Sequence, residues 1–481
     1  MSIERRARLE ALALRARQEM ERTQGFGRVW LPVPELGDGL DYNVVICGAG
    51  MSGLTIAFGL ARRGVQGVVL VDQRGPGAEG PWTHCARMKT LRSPKELAGT
   101  DFGVPSLTPR AWFETVYGEA AWAALDKFAR EDWAAYLDWY RVVTAAEIHN
   151  GCRLIGTYPD EAGLRLELEG GGLPRSIRCR RLIVATGIEG SGCRRVPEVV
   201  RNLPKSLWTH SAEGPPGPSF SGRDFIVLGA AASAFDWAVA ALEGGARRVD
   251  MIGRSAEFAR TEVLDWMNFA GFMNHFAELS DAERWRFAQL YFDLKQPPTQ
   301  DQFDRALAHT NFHMSLGRSI CSVSEARGRV CVEMDTGAMN VDHLLVGTGY
   351  QIDLSAREEL QGIAPRIVYW RDRRPASIDA SSGEIEPHPY LGPGFELTPI
   401  DPAPDAWISR IHLFNNAAVP SLGPVSNGLT GLKYGAPRIV DALCGALFRE
   451  NAARFAHELA LYRRPHFDPR GYGRGKAETL T

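Results

Sequence analysis

The sequence lacks most of the features that would place it in a specialised class. Its eight cysteines, Cys47, Cys85, Cys152, Cys179, Cys193, Cys321, Cys331 and Cys444, contain no C-x-x-C pair. That excludes zinc-ribbon and thioredoxin-type chemistry, and scattered thiols suit a reducing cytoplasm better than a disulfide framework. Lys+Arg number 55 against 57 Asp+Glu, so no charge excess supports nucleic-acid binding or a polybasic membrane patch. No apolar run reaches the ~18 residues of a membrane span. No G-x-S-x-G elbow is present for a hydrolase. His309 and His313 stand four apart without the H-E-x-x-H glutamate, so no metal site is expected.

Length, at 481 residues, corresponds to roughly three domain-sized units or two large interleaved ones. Arginines crowd the first 24 residues, but Glu4, Glu10, Glu19 and Glu21 sit among them, unlike a transit peptide. Leu9, Leu12, Leu14, Ala16 and Met20 predict an N-terminal helix packed on the body, within an extension spanning residues 1–40.

Glycine is plentiful, and its placement is informative. DYNVVIC, Asp41 to Cys47, reads as a short buried strand running into Gly48-Ala-Gly50-Met-Ser-Gly53. The helical LTIAFGLARRG follows, then the strand VVLVD ending at Asp72, nineteen residues after Gly53. Gly48 permits the turn, Gly50 lets backbone approach a pyrophosphate, Gly53 lets the helix pack on the strand, and Asp72 can accept from a ribose hydroxyl. The helix start supplies N–H groups and dipole to phosphates. A glycine-rich surface turn is the bland alternative, but strand, turn, helix, strand and acid fall in register, predicting a dinucleotide site.

A second copy of this layout begins at DFIVL, Asp224 to Leu228, and opens on Gly229-Ala-Ala231-Ala-Ser233-Ala234. Helical FDWAVAALEGG and the strand VDMIG lead to Arg254 and Ser255. Ala231 stands where the second glycine belongs, and its methyl would crowd a pyrophosphate, so a fold that has lost its cofactor remains an alternative. Arg254 and Ser255 occupy the place of the NAD-binding acid. A basic residue there suits a 2′-phosphate and hence NADPH; a solvated arginine at a strand end is the other reading.

RRLIVATG, ending at Thr186 and Gly187, and DHLLVGTGYQIDL, with Gly349, bracket this second fold. Each is a strand closing on a small-Thr-Gly turn. Together these segments resemble the class B flavin monooxygenases: the flavin-containing monooxygenases, Baeyer–Villiger monooxygenases and amino-acid N-hydroxylases. The resemblance spans most of residues 41 to 450. It implies an α/β fold with two Rossmann-like dinucleotide-binding domains, the NADPH domain inserted into a split FAD domain. The expected units are an N-terminal helix and extension over residues 1–40, FAD-binding parts over 41–205 and 346–481, and an inserted NADPH-binding domain over 206–345. Gly80-Pro-Trp82 is similar to the family's glycine-x-tryptophan beside the flavin. LRSPKEL, Leu91 to Leu97, is similar to TNLPKEL, with Arg92 at the asparagine position. Trp208-Thr-His210-Ser211 resembles the end of the family's linker fingerprint. The leading F-x-G is absent, with Pro204 and Ser206 in those places and Gly214 where an aromatic is expected, which weakens Baeyer–Villiger chemistry.

The resemblance implies that NADPH reduces FAD and that O2 then forms a C4a-(hydro)peroxyflavin, which oxygenates a nitrogen or sulfur centre of a small metabolite, N-hydroxylation preferred. The flavin carries this chemistry, so no catalytic triad is required. Arg92, Arg87 and Lys89 are the candidates beside it, stabilising an anionic flavin, the adduct or a substrate carboxylate; an ordinary basic surface loop is the alternative. The helix after Asn427, Gly428 and Leu429 is similar to the family's last FAD contact. Trp266, Phe269, Phe272, Met273 and Phe276, in a long helical stretch from Glu262 to Leu294, line a substrate channel or pack against the nucleotide sheet. The Pro/Gly-rich segment 372–399 is expected as a surface excursion near the mouth or an oligomer contact, and a homo-oligomer is left open. The rival functions are an FAD-dependent reductase or a flavin-binding redox protein whose nicotinamide site is degenerate, with Ala231 as the feature that supports them.

Overall fold

Strand β1 (Tyr42–Cys47) is buried along nearly its whole length, and such a run is stable only with a layer on each face. In the computed structural model, which describes residues 3–23, 27–35, 37–96, 99–214, 219–376, 383–426 and 428–467, β1 lies between β2 (Val68–Asp72) and β6 (Ser176–Val184), parallel to both. β3 (Ile148–Asn150) adds beyond β2. β6 is shared: its first half pairs antiparallel with β5 (Leu164–Gly170), itself paired with β4 (Cys152–Pro159). Its second half pairs parallel with β17 (Ile411–Leu413).

All five strands of the second sheet fall between β6 and β17 in the chain. Its order is β11 (Phe312–Leu316), β10 (Arg248–Gly253), β9 (Asp224–Leu228), β15 (His343–Val346), β8 (Trp208–His210), and every neighbouring pair is parallel. The helix Ala232–Glu243 packs on one face through Phe235, Ala238 and Leu242. The other face meets an antiparallel meander, β12 (Ile320–Ala326), β13 (Arg329–Met334) and β14 (Gly337–Val341), through Val330 and Val332. β7 (Gly192–Arg194) and β16 (Tyr350–Ile352) form a small antiparallel pair where the chain enters and leaves this unit. The first sheet thus receives strands from both sides of an insertion, the α/β arrangement the glycine motifs predict.

The N-terminal helix Ile3–Arg22 buries Leu9, Leu12, Ala16 and Met20, as expected, while Leu14 faces outward. Two expectations are corrected. The stretch 262–294 is not one helix: it breaks into Val263–Met267, Ala270–His275 and Asp281–Leu294. The last begins at a capping box in which Ser280 and Glu283 each bond the other's backbone N–H, a signal legible in the sequence. Phe272, Met273 and Phe276 join the core of the first unit rather than the nucleotide sheet, whereas Trp266 and Phe269 are exposed. Segment 372–399 is a surface excursion only in its first part, where residues 372–374, 376, 383 and 384 are exposed. Ile385, His388, Leu391 and Phe395 are buried, and bridges tie Tyr369 to Pro389 and Glu396 to His412; residues 377–382 lie outside the described residues.

Candidate active site

At the end of β1 the chain turns through Gly48 at φ +105°, and a Cβ there would stand 2.5 Å from the Ala185 carbonyl oxygen. Only glycine meets both demands. A Cβ on Gly53 would fall inside the Gly48 carbonyl oxygen, so that glycine sets how closely helix Met51–Arg62 approaches the strand. Gly50 is different. Its φ of −73° suits any residue, no protein atom lies within 3.8 Å of its missing Cβ, and it caps the helix without a side-chain bond. The bare backbone and uncapped helix start have the form that accepts a phosphate.

Asp72 closes the turn: Oδ2 accepts the Ala49 N–H and Oδ1 the Arg74 N–H, each at 2.9 Å. Burial raises its pKa against those two bonds. The cleft beside Gly50 is lined by Glu79, Trp82, Leu137 and Arg141. Trp82 packs edge-on against Trp133 at 6.2 Å, and Glu79 accepts from Arg141 at 2.9 Å and Asn150 at 2.7 Å. The Glu79–Arg141–Asn150 cluster has no local sequence signal, because its members come from separate elements.

Polar groups without partners follow the ends of the paired strands β6 and β17. Thr186 Oγ1 and Asn415 Nδ2 are buried and make no hydrogen bond among the described residues. Asn415 is otherwise fixed, its Oδ1 accepting from Ser191 and from the Ala417 N–H. Gly187, at φ +66°, turns the chain away after Thr186. The helix Leu429–Glu450 starts at Gly428, which is uncapped and has open space at its missing Cβ; Leu429 is buried, and Asn427 lies outside the described residues. Orphan donors, an uncapped helix start and a glycine cradle fit FAD.

The second mouth repeats the first with one exchange. Gly229 turns at φ +111° against Gly347, and a Cβ on Gly347 would sit 2.9 Å from Ala234. In the first fold the methyl is on Ala185 and the helix carries Gly53; here the strand carries Gly347 and the helix carries Ala234. Ala231 has ordinary extended dihedrals, φ −95° and ψ 179°, and its methyl is exposed at the mouth beside half-buried Ser233. The protein itself therefore tolerates Ala231, and only a bound nucleotide would meet it. Arg254 and Ser255 are exposed at the end of β10, and no carboxylate pairs with Arg254 among the described residues.

His210 ends β8, beside the end of β15 where the chain leaves the second unit. It is buried, its Nε2 lies 3.1 Å from the Gly349 carbonyl, and its Nδ1 accepts the Ala212 N–H. That bonding fixes the neutral Nε2–H form, and burial lowers its pKa. Gly349 itself turns at φ +77°. Burial likewise drops the pKa of His343, His388 and His412 to about 4. A depressed histidine pKa means that the unfolded chain binds protons below pH ~6.5 that the native state refuses. Stability should therefore fall as pH is lowered from 6.5 towards 4, by roughly 1.4 kcal/mol per histidine per pH unit before opposing carboxylates are counted. A melting temperature that rises on acidification across this window contradicts this.

The loop 84–93 leads from the cleft residues Trp82 and Thr83 onto helix Ala232–Glu243, and the structure places its three cations differently. Arg92 Nη2 bonds Asp236 Oδ2 at 2.9 Å, and Lys89 Nζ lies 3.6 Å from Glu243 Oε1. Arg87 has no acid partner among the described residues. Its Nη1 donates to the carbonyls of His84 and Ala86, its guanidinium lies 5.1 Å from the Trp237 ring centroid, and buried Nη2 is unpartnered. Burial, then the neighbouring Arg130, lowers its pKa. A half-buried cation without a counterion is the natural place for an anionic ligand. Asp236 and Trp237 escape the sequence reading, although an acid within the apolar helical run FDWAVAAL is a visible oddity.

Two parallel-sheet units, one inserted in the other and each opening on a glycine turn, define a two-dinucleotide-binding-domain flavoprotein. No family model matches the chain. It is 38% identical over 436 residues, 90% of this chain and 92% of the relative, to the FAD-dependent urate hydroxylase of Xanthomonas campestris pv. campestris. The chain belongs to that family and is a FAD-dependent monooxygenase. The fold matches the ornithine N-hydroxylase of Kutzneria sp. 744, with a TM-score of 0.65 and 15% identity over 84% of this chain and 99% of that one. It also matches the L-lysine 6-monooxygenase of Pseudomonas syringae, with a TM-score of 0.64 and 16% identity over 84% and 100%. No helix among the described residues is long and apolar enough to cross a membrane, and none of their side chains forms a metal-binding cluster.

Proposed function

We propose that the protein is an NADPH- and O2-dependent flavin monooxygenase that oxygenates a small, nitrogen-rich, anionic metabolite. The observation that carries this reading is Arg87, a guanidinium with no acid partner among the described residues, held against Trp237 of the second nucleotide helix on the loop that follows the cleft residues Trp82 and Thr83. The relative's substrate, urate, is nitrogen-rich and anionic at neutral pH, and ornithine and lysine are the substrates named for the structural neighbours. FAD, when bound, supplies the redox and oxygen chemistry. Residues 41–205 and 346–481 would hold it through Gly48, Gly50, Gly53, Asp72, Trp82, Thr186, Gly187, Gly428 and Leu429. Residues 206–345 would hold NADPH through Gly229, Ser233, Arg254 and Ser255, with His210 and Gly349 setting the junction.

The chain's own part is to bind, orient and exclude water. Arg87 holds an anionic group by charge-assisted hydrogen bonding. Trp82 lines the cleft and is backed edge-on by Trp133, which in turn packs on buried Phe128. In a dry site a fixed guanidinium needs little reorganisation as charge develops nearby. The purified protein should be yellow and bleach under anaerobic NADPH, and urate, ornithine and lysine should then be screened for substrate-dependent O2 uptake. Failure of the FAD-loaded protein to bleach with either NADPH or NADH sinks the reading.

Ala231 favours a second reading, a reductase or redox protein with a weak nicotinamide site. The test is selectivity. Arg254→Ala should raise the KM for NADPH about 10- to 100-fold, the worth of one or two charge-assisted bonds, and leave that for NADH nearly unchanged. Equal effects on the two nucleotides would remove Arg254 from 2′-phosphate recognition.

A further inference from the structure

The three cations of loop 84–93 reach the same helix, Ala232–Glu243, whose first turn is the second nucleotide mouth. Asp236 and Glu243 lie two turns apart on one helical face, a rise of roughly 10 Å. Arg92 and Lys89, three residues apart on the loop, span about the same distance when extended. The two ion pairs are unequal. Lys89 and Glu243 are both well exposed, Glu243 is shared with Arg305 at 2.6 Å, and such a surface pair contributes little. Asp236 is buried, with a side chain 7% exposed, and Arg92 is the only residue that hydrogen-bonds its carboxylate among the described residues. Losing one partner of such a pair strands a buried charge. Glu262 and Arg305 are the other charged groups facing the pair. The same helix is tied to the chain junction, Trp237 Nε1 donating to the Ser211 carbonyl at 3.2 Å.

We propose that Arg92 and Asp236 are positioning residues: their ion pair clasps the nucleotide helix to the loop beside the flavin cleft, and it couples nucleotide binding at that helix to the order of loop 84–93. This rests on the proposed NADPH-dependent function. The clasp places the bound nucleotide relative to the first unit, and because a coupling between two sites is reciprocal, occupancy of the nucleotide mouth stabilises the loop. Asp236 touches neither nucleotide nor substrate in this role and acts through the helix it sits on.

The test uses the FAD-loaded protein, Asp236→Asn, and the exchanged pair Arg92→Asp with Asp236→Arg. At saturating NADPH, Asp236→Asn should slow anaerobic bleaching about 10- to 100-fold, as a misplaced reactant does, while dithionite bleaches it at the unaltered rate. The exchanged pair should recover most of the loss. An independent readout is hydrogen exchange: NADP+ should slow exchange across residues 84–93 in the unaltered protein and not in Asp236→Asn. Should the exchanged pair fail to fold, Asp236→Asn alone decides, since an amide of the same shape keeps the packing. Unaltered bleaching in Asp236→Asn, or the same NADP+ protection of the loop in both proteins, overturns the proposal. If the unaltered FAD-loaded protein bleaches with neither NADPH nor NADH, the proposed function fails first and the clasp falls with it.

Discussion

Gly50→Ala should give a protein that folds normally yet binds FAD at least about tenfold more weakly, while Gly53→Ala should be purified largely colourless and less stable. The contrast follows from where each methyl would go. On Gly50 it meets no protein atom within 3.8 Å, and the φ of −73° suits alanine, so the fold is spared. The methyl instead fills the backbone surface where a pyrophosphate must approach. On Gly53 it overlaps the Gly48 carbonyl oxygen, forcing helix Met51–Arg62 off β1. Overpacking of this kind costs about 1–3 kcal/mol or more in stability and distorts the cradle as well. Flavin absorbance per protein and the thermal midpoint together separate the two outcomes. A Gly50→Ala protein that retains FAD at unaltered affinity would show that the first mouth does not hold the pyrophosphate. The reverse substitution, Ala231→Gly, should tighten NADPH binding without altering the melting temperature, because the Ala231 methyl is exposed and unstrained.

The second large effect is expected at Arg87. Arg87→Met, which keeps an apolar body over Trp237 and removes the charge, should lower kcat about 100-fold or more, the usual consequence of removing one fixed donor from a developing charge. FAD content should be unchanged, since among the described residues Arg87 bonds the loop's own carbonyls and lies over Trp237. Arg87→Lys should recover little, because a lysine ammonium lacks the planar fork that bonds backbone, ring and ligand at once. Steady-state O2 uptake with the identified substrate measures both. If Arg87→Met retains full turnover, its unpartnered Nη2 has no role at the reacting centre. Arg92 differs: its loss should slow bleaching by NADPH, because its partner is Asp236 on the nucleotide helix.

Much of the architecture was legible because dinucleotide folds write their backbone needs into local sequence. A turn at φ +105° and a helix pressed against a strand admit glycine alone, so Gly48 and Gly53 announce themselves without any partner being known. The periodic apolar face of Leu9, Leu12, Ala16 and Met20 works in the same way, since helix geometry alone brings those residues together. Leu14 falls off that face by the same geometry and is exposed.

Contacts between distant segments could not be read this way. Lone acids such as Asp236 and Glu79 carry no local mark of the arginine each will meet, because ion pairs across elements depend on how sheets and helices stack. The stretch from Glu262 to Leu294 has the composition of one helix, yet it breaks so that Phe272 and Phe276 reach the first unit's core. Segment 372–399 looks like solvent-exposed loop by its proline, glycine and polar content. Tertiary packing buries Ile385, Leu391 and Phe395 instead, and backbone bridges to neighbouring segments meet its polar groups. The sequence by itself determined two nucleotide turns and their order, because backbone sterics act over a few residues, while the interruption of one unit by the other was what the family resemblance implied and is seen in β17 joining β6. Only the tertiary structure decided which cation of loop 84–93 has no acid beside it among the described residues: burial and pairing are properties of the packed molecule, and Arg87, Lys89 and Arg92 look alike until the helix Ala232–Glu243 is laid against them.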